Sequence, residues 1–281
     1  MAISAREQEE DEARAENAGR GYEYNPNELK LLVHAPTGHG KTALLGTAVG
    51  DARLMPALLG DFEGGYRSIR SKVVTTTLDE LFKPDYEPPT DRIVRVRIRE
   101  WKDLDDIYEL LDDPKCKFKS FFGDSLSEIN YLSLGSVIAE AVREAPNKTD
   151  PDIATQPQYQ KSLGQMRKVI RYFRDLEGKH IVFTATSMDV EDARTRRGQV
   201  RPNLVGKLGH EVPALFDWVG YLALAEETKN GVTTSTRILC CAPHDRFVAK
   251  GRNDPDDGGQ LPDELENPTL PMILDYLEGK R

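Results

Sequence analysis

The sequence predicts an α/β fold: a mainly parallel sheet flanked by helices, with antiparallel strands at its C-terminal edge. Three observations predict it. Short apolar runs alternate with segments of helical periodicity, the pattern of strands joined by crossover helices. A glycine-rich stretch, Ala35-Pro36-Thr37-Gly38-His39-Gly40-Lys41-Thr42, lies between an apolar run and a helix-compatible run, the setting of a phosphate-binding loop. After residue 212 the alternation ends and strand-like runs follow one another.

The strands are read from apolar runs bounded by turn residues: Lys30 to His34, Ala57 to Phe62, Ile93 to Ile98, Phe118 to Gly123, and His180 to Thr186. Between them, residues 101–112 carry Trp101, Leu104, Ile107, Leu110 and Leu111 at helical spacing. Residues 158–177 do the same with Leu163, Met166, Val169, Ile170, Phe173 and Leu176, leaving Arg and Lys on the other face. The later strands are Phe216 to Leu224, Thr234 to Cys241 and Arg246 to Ala249, the first two joined through the turn Lys229-Asn230-Gly231. A short helix near Met272 to Leu277 closes the chain. Residues 145–157 and 188–204 lack periodicity and are expected as long loops, which in a compact domain are often functional.

At 281 residues there is room for one large α/β domain or two small ones. The reading is a mobile acidic N-terminal tail over residues 1–27 and a single domain over 28–281. No apolar stretch reaches membrane-spanning length and no secretory signal opens the chain, so a soluble cytoplasmic protein is expected, with no membrane partner. A net charge of −9 argues against a surface coated for nucleic acid, though not against a local basic groove. Cys116, Cys240 and Cys241 have no metal-ligand spacing and read as reduced, mostly buried thiols.

The chemistry starts at the glycine-rich loop. Its backbone N–H groups would wrap phosphate oxygens, giving a nucleotide cradle of Ala35, Pro36, Thr37, Gly38, His39, Gly40, Lys41, Thr42 and Ala43. Lys41 would reach the β- and γ-phosphates, and the Thr42 hydroxyl would coordinate Mg²⁺. The usual first glycine is Ala35; that is tolerable where the backbone is ordinary, because Gly38 and Gly40 still supply positive φ. A second acidic group for Mg²⁺ is expected at the end of a neighbouring strand, and Asp124 closes the run from Phe118. Hydrolysis needs a carboxylate to orient or deprotonate water. Glu63, just before Gly64-Gly65, is the candidate, with Asp61 as the neighbour that competes for the role.

In this order the pieces resemble RecA-type recombinases. Asp61-Phe62-Glu63-Gly64-Gly65 resembles their Asp-x-Glu motif, and Gly123-Asp124-Ser125-Leu126 their Walker B strand. Ile181-Val182-Phe183-Thr184-Ala185-Thr186-Ser187 resembles the strand whose end senses the γ-phosphate, with Thr186 or Ser187 where that family has glutamine. Closer still are phage-encoded RecA-like P-loop ATPases of the AAA-type nucleotide-binding class, including single-strand annealing proteins. The chain is similar to them in Pro202-Asn203-Leu204-Val205-Gly206-Lys207 and in Glu211 through Tyr221, and the likeness spans about residues 28 to 253.

The resemblance implies a RecA-like ATPase domain that binds and hydrolyses ATP with Mg²⁺, with Glu63 and Lys41 catalytic. It implies that Ala249-Lys250-Gly251-Arg252-Asn253 is a finger entering a neighbour's nucleotide site, hence a homo-oligomer, ring or filament. It places a DNA-binding loop at Arg194, Arg196, Arg197 and Arg201, with Lys207 adding charge, and a single-strand binding protein as a further partner. The implied task is phage DNA recombination on single-stranded DNA, by annealing or strand pairing. A hexameric helicase-like translocase, a small-molecule P-loop kinase and a non-hydrolysing ATP-switched binding module are the rival readings.

Overall fold

The computed structural model describes residues 25, 27–191, 198–229, 232–252 and 260–281. The expected architecture is the observed one. In chain order the strands and helices are β1 (Lys30–Ala35), α1 (Lys41–Leu45), β2 (Ala57–Asp61), β3 (Val73–Thr76), α2 (Leu78–Leu81), β4 (Ile93–Arg97), α3 (Asp103–Asp112), β5 (Ser120–Asp124), α4 (Leu126–Glu144), α5 (Gln156–Arg174), β6 (His180–Glu191), β7 (Gly198–Pro202), α6 (Leu208–Leu215), β8 (Trp218–Lys229), β9 (Val232–Cys240), β10 (Glu264–Glu266) and α7 (Leu270–Leu277). The sheet runs β10-β9-β8-β1-β6-β5-β2-β4-β3, with β7 paired to β6. From β8 to β3 the pairing is parallel; β9 and β10 add the antiparallel edge.

Period-two alternation divides the core between the two faces of the sheet. Leu31, Val33 and Ala35 of β1 face one layer, with Leu44 and Leu45 of α1 and Ile273 and Leu274 of α7. Leu32 faces the other, with α3, α4, α5 and α6 supplying Ile107, Ile129, Met166 and Leu208. Helix α5 starts cleanly because Thr155 and Gln158 form a capping box and a proline occupies its first turn.

Two expectations need correction, and two elements lie outside the sequence reading. Within residues 188–204 the described part is paired strand rather than unstructured loop: β6 continues to Glu191 and pairs with β7 in antiparallel register from Ser187↔Pro202 to Glu191↔Gly198. Arg246 to Ala249 is not a regular strand. It makes a single bridge, Phe247 to Val200 of β7, and the next bridge, to Val219 of β8, belongs to Lys250. Helix α4 was not anticipated, because two of its core-facing positions are polar. Asn130 is buried accepting from the Val205 amide at 2.8 Å, and Ser133 is buried against Ser162 at 2.9 Å. The half-exposed, threonine-rich β3 was also missed. Of the tail expected over residues 1–27, residues 1–24 and 26 lie outside the described residues, as do Asn230 and Gly231 of the expected turn.

Candidate nucleotide site

The loop after β1 has the backbone its sequence requires. Ala35 is the last residue of the strand, buried and in register with Thr186 of β6, so alanine sits there in ordinary extended backbone. Gly38 and Gly40 take φ of +87° and +96°, a region open mainly to glycine. The Gly40 carbonyl accepts from the Leu44 amide at 3.0 Å, closing the first turn of α1. Lys41 is buried and donates to the Ala35 and Pro36 carbonyls at 3.0 and 3.2 Å. Burial pushes its ammonium pKa down, while Glu63 and Asp124 hold it up.

Asp124 ends β5, two strands from β1, with β6 between them. Its buried carboxylate accepts from the Thr42 hydroxyl at 2.7 Å on one oxygen and from the Thr184 hydroxyl on the other. Burial raises its pKa against these two bonds, and Glu63 raises it further. The loop after β2 closes over this pair: an added Cβ on Gly65 would stand 3.4 Å from Thr42 Oγ1 and 3.6 Å from Asp124 Oδ2. Glu63 is exposed on that loop and accepts from the Ser125 hydroxyl. Asp61 is engaged elsewhere. It is buried and accepts from Arg95 Nε at 2.7 Å and from the Gly64 amide at 2.7 Å.

Sequence reasoning missed Thr184, Arg95 and Arg237. Thr184 was findable, since alternation puts it on the face of Thr186. Arg237 of β9 packs on the loop from outside, its Nε donating to the His39 carbonyl at 3.1 Å. His39, expected in the nucleotide cradle, donates from Nδ1 to the Leu222 carbonyl at 3.2 Å. Thr186 and Ser187 are spoken for: the Thr186 hydroxyl donates to Ser127 Oγ at 2.9 Å, and the Ser187 hydroxyl to His34 Nδ1 at 2.9 Å.

The remaining expected residues lie apart from this cluster. Lys250 bridges to Val219 and its ammonium donates to the Pro213, Ala214 and Phe216 carbonyls at the C-terminus of α6, at 3.3, 3.3 and 2.5 Å. Burial and the neighbouring Arg252 push its pKa down. Arg252 stands 3.3 Å from buried Asp217, whose amide bonds the Lys30 carbonyl at the start of β1. Both cations are therefore at the opposite end of the sheet from this chain's own loop, and both have partners within the protomer. Neither Gly251 nor Arg252 is in a strand. Arg194, Arg196 and Arg197 lie outside the described residues. Arg201, on β7, donates to His210, and Lys207 is exposed at the start of α6.

The donor set suits a hard cation held with phosphates: two oxygen ligands, Thr42 and Asp124, are in contact, and Mg²⁺ commonly takes one or two protein oxygens beside substrate phosphates. No group of three or more His, Cys, Asp or Glu able to hold a metal alone occurs among the described residues. Cys240 and Cys241 are buried and pushed up to about 11 and about 12, as expected of inert thiols. No described helix is long and apolar enough to cross a membrane.

Comparison with known proteins gives one family. None of the curated proteins matches the chain. Among solved structures, the flagellar accessory protein FlaH from Methanocaldococcus jannaschii is 8% identical with a TM-score of 0.40, covering 85% of this chain and 84% of that one. The genome packaging NTPase B204 from Sulfolobus turreted icosahedral virus 2, in complex with ATP-gammaS, is 12% identical with a TM-score of 0.35, covering 74% and 78%. The model of the AAA domain family matches residues 27–253. The chain, an ATPase-type P-loop domain with the loop, Thr42 and Asp124 at its centre, belongs to the AAA domain family.

Proposed function

We propose that this protein binds and hydrolyses ATP and couples the nucleotide state to single-stranded DNA, in phage DNA recombination by annealing or strand pairing. The observation that carries the ATPase part is the convergence of Lys41, Thr42, Asp124 and Glu63 from three separate segments on one loop.

In this reading the amides of Gly38 through Ala43 hold the phosphates and Lys41 moves from the Ala35 and Pro36 carbonyls to the γ-phosphate. Mg²⁺ on Thr42 and Asp124 would neutralise charge on the β- and γ-phosphates. Glu63, exposed beside them and oriented by Ser125, would orient the attacking water and take its proton. Asp61 is a positioning residue: by accepting from the Gly64 amide it fixes the turn that presents Glu63.

The finer parts of the proposal are a single ATPase domain over 28–281, a cytoplasmic protein, a homo-oligomer with shared sites, and a single-strand binding protein as partner. Lys250 and Arg252 enter as the pair a neighbour's nucleotide would receive once released from α6 and Asp217. Arg194, Arg196, Arg197, Arg201 and Lys207 enter as phosphate contacts for the strand. The deciding experiment is ATP turnover with and without single-stranded DNA. Stimulated turnover is expected; turnover without stimulation would remove the DNA part, and no turnover at all would remove the ATPase part.

A further inference from the structure

A trough of about 1170 Å³ opens beside Phe62, between the end of β4 and the outer face of α4. Along α4 it runs from Glu128 to Arg143, about 22 Å at the helical rise. Gly135, Ser136 and Ala139 keep this wall low in the middle. Two rings border it: Tyr131, 56% exposed, and half-buried Trp101 on the opposite side.

Its charge leans positive in an acidic chain. Of the acids bordering the trough, Glu100 faces Lys102 at 3.3 Å and Glu140 pairs with Lys161 at 2.6 Å. Arg97, Arg99 and Arg143 then stand against Glu128. The inner end reaches the catalytic loop. Phe62, the residue before Glu63, lines it, and Arg97 lies 3.5 Å from where a Cβ on Gly64 would be. Arg97 Nη1 is buried with no hydrogen-bond acceptor among the described residues; Asp61 Oδ1 is 3.6 Å away.

An exposed ring, Tyr131, and a half-buried one, Trp101, set among cations along an extended channel suit unpaired bases, which stack on aromatics while phosphates meet arginine. The trough offers both. We propose that this trough binds single-stranded nucleic acid, with Trp101 and Tyr131 stacking bases, Arg99 and Arg143 contacting phosphates, and occupancy relayed to Glu63 through Arg97. Only the relay rests on the ATPase reading; strand binding stands without it.

The chain has two tryptophans, and Trp218 is 1% exposed. Emission from Trp101 therefore reports the trough. With the whole chain and no nucleotide, an oligodeoxythymidylate of about 15 nucleotides should quench it. Trp101→Phe should abolish the quench while retaining most of the binding measured by anisotropy. Tyr131→Ala should weaken binding about tenfold, and Arg143→Ala should lower the slope of log affinity against log salt by about one. Tyr131→Ala should also lose DNA-stimulated turnover while keeping basal turnover. Absence of quenching, or unchanged affinity in folded Tyr131→Ala and Arg143→Ala, overturns the site. Emission that changes with protein concentration alone would make the trough a contact between copies and also overturn it. Strand binding without turnover would instead sink the ATPase reading and leave the trough.

Discussion

Asp61 and Arg95 form a buried ion pair, Nε to Oδ2 at 2.7 Å, so that of the two carboxylates at the end of β2 only Glu63 is exposed. Glu63→Gln should therefore keep ATP binding and slow hydrolysis by about 10²- to 10⁴-fold, the usual worth of a general base. Asp61→Asn should act through folding. It leaves the Arg95 guanidinium, largely buried, without its counter-charge, a loss of about 3–5 kcal/mol. Chemical denaturation and single-turnover kinetics on the two variants separate these effects; equal losses of stability in both would make Glu63 structural.

The site was legible where its signal is local. Strand β1, the loop and the helical turn after it are contiguous, so apolar pattern and glycine spacing suffice. Asp124 is readable because burial keeps β5 apolar up to its last residue. The Asp61–Arg95 pair was not readable, because it depends on the parallel register of β2 with β4, which brings Asp61 level with Arg97 and puts Arg95 on the same face. Helix α4 hid behind Asn130 and Ser133, polar residues whose burial is compensated by hydrogen bonds to distant elements. The end of the chain misled in the opposite direction. Arg246 to Ala249 has the composition of a strand, but its strand bonds stop at Val200 of β7, and pairing passes to β8 at Lys250.

Lys41→Ala and Asp124→Asn should separate two contributions to nucleotide affinity. Loss of Lys41 should abolish ATP binding whether or not Mg²⁺ is present. Asp124→Asn keeps an oxygen for the Thr42 hydroxyl but removes the charge, so only the Mg²⁺-dependent part of the affinity should fall. Titration of a fluorescent ATP analogue with Mg²⁺ or with chelator makes the comparison. Equal losses in both conditions for Asp124→Asn would deny it a role in holding the metal.

Lys250→Ala should cost about 1–3 kcal/mol of stability, because three carbonyls at the end of α6 lose their donor. A finger acting between subunits adds a second signature. Mixing Lys250→Ala with Lys41→Ala should recover turnover, since one variant supplies the intact loop and the other the intact cation. Turnover that stays at the sum of the separate samples would confine Lys250 to bracing α6.

Gly38 and Gly40 share positive φ but differ in their surroundings. A Cβ on Gly38 meets nothing within 4 Å, whereas one on Gly40 would stand 2.3 Å from Arg237 Nε. Gly38→Ala should therefore cost only backbone strain, roughly 1–2 kcal/mol, and Gly40→Ala more. Adding Arg237→Ala to Gly40→Ala should restore part of the lost nucleotide affinity. If the double variant binds no better than Gly40→Ala, the Arg237 contact is not what limits the loop.

His34 links β1 to the β6–β7 hairpin and to the segment after β9. Its Nε2 donates to the Val248 carbonyl at 2.6 Å and its Nδ1 accepts from Ser187, so the ring is neutral. Burial pushes its pKa down to about 4, and His180 is likewise lowered to about 4. A depressed histidine pKa means that the unfolded chain binds the proton more readily. The stabilising difference is thus complete above the ordinary value of 6.5 and is lost as pH falls towards 4. At pH 5 the loss should be roughly 2 kcal/mol for each histidine. His34→Gln should remove about half of the combined loss between pH 7 and pH 5, measured by urea denaturation at both. An unchanged loss would mean that groups other than His34 take up the protons.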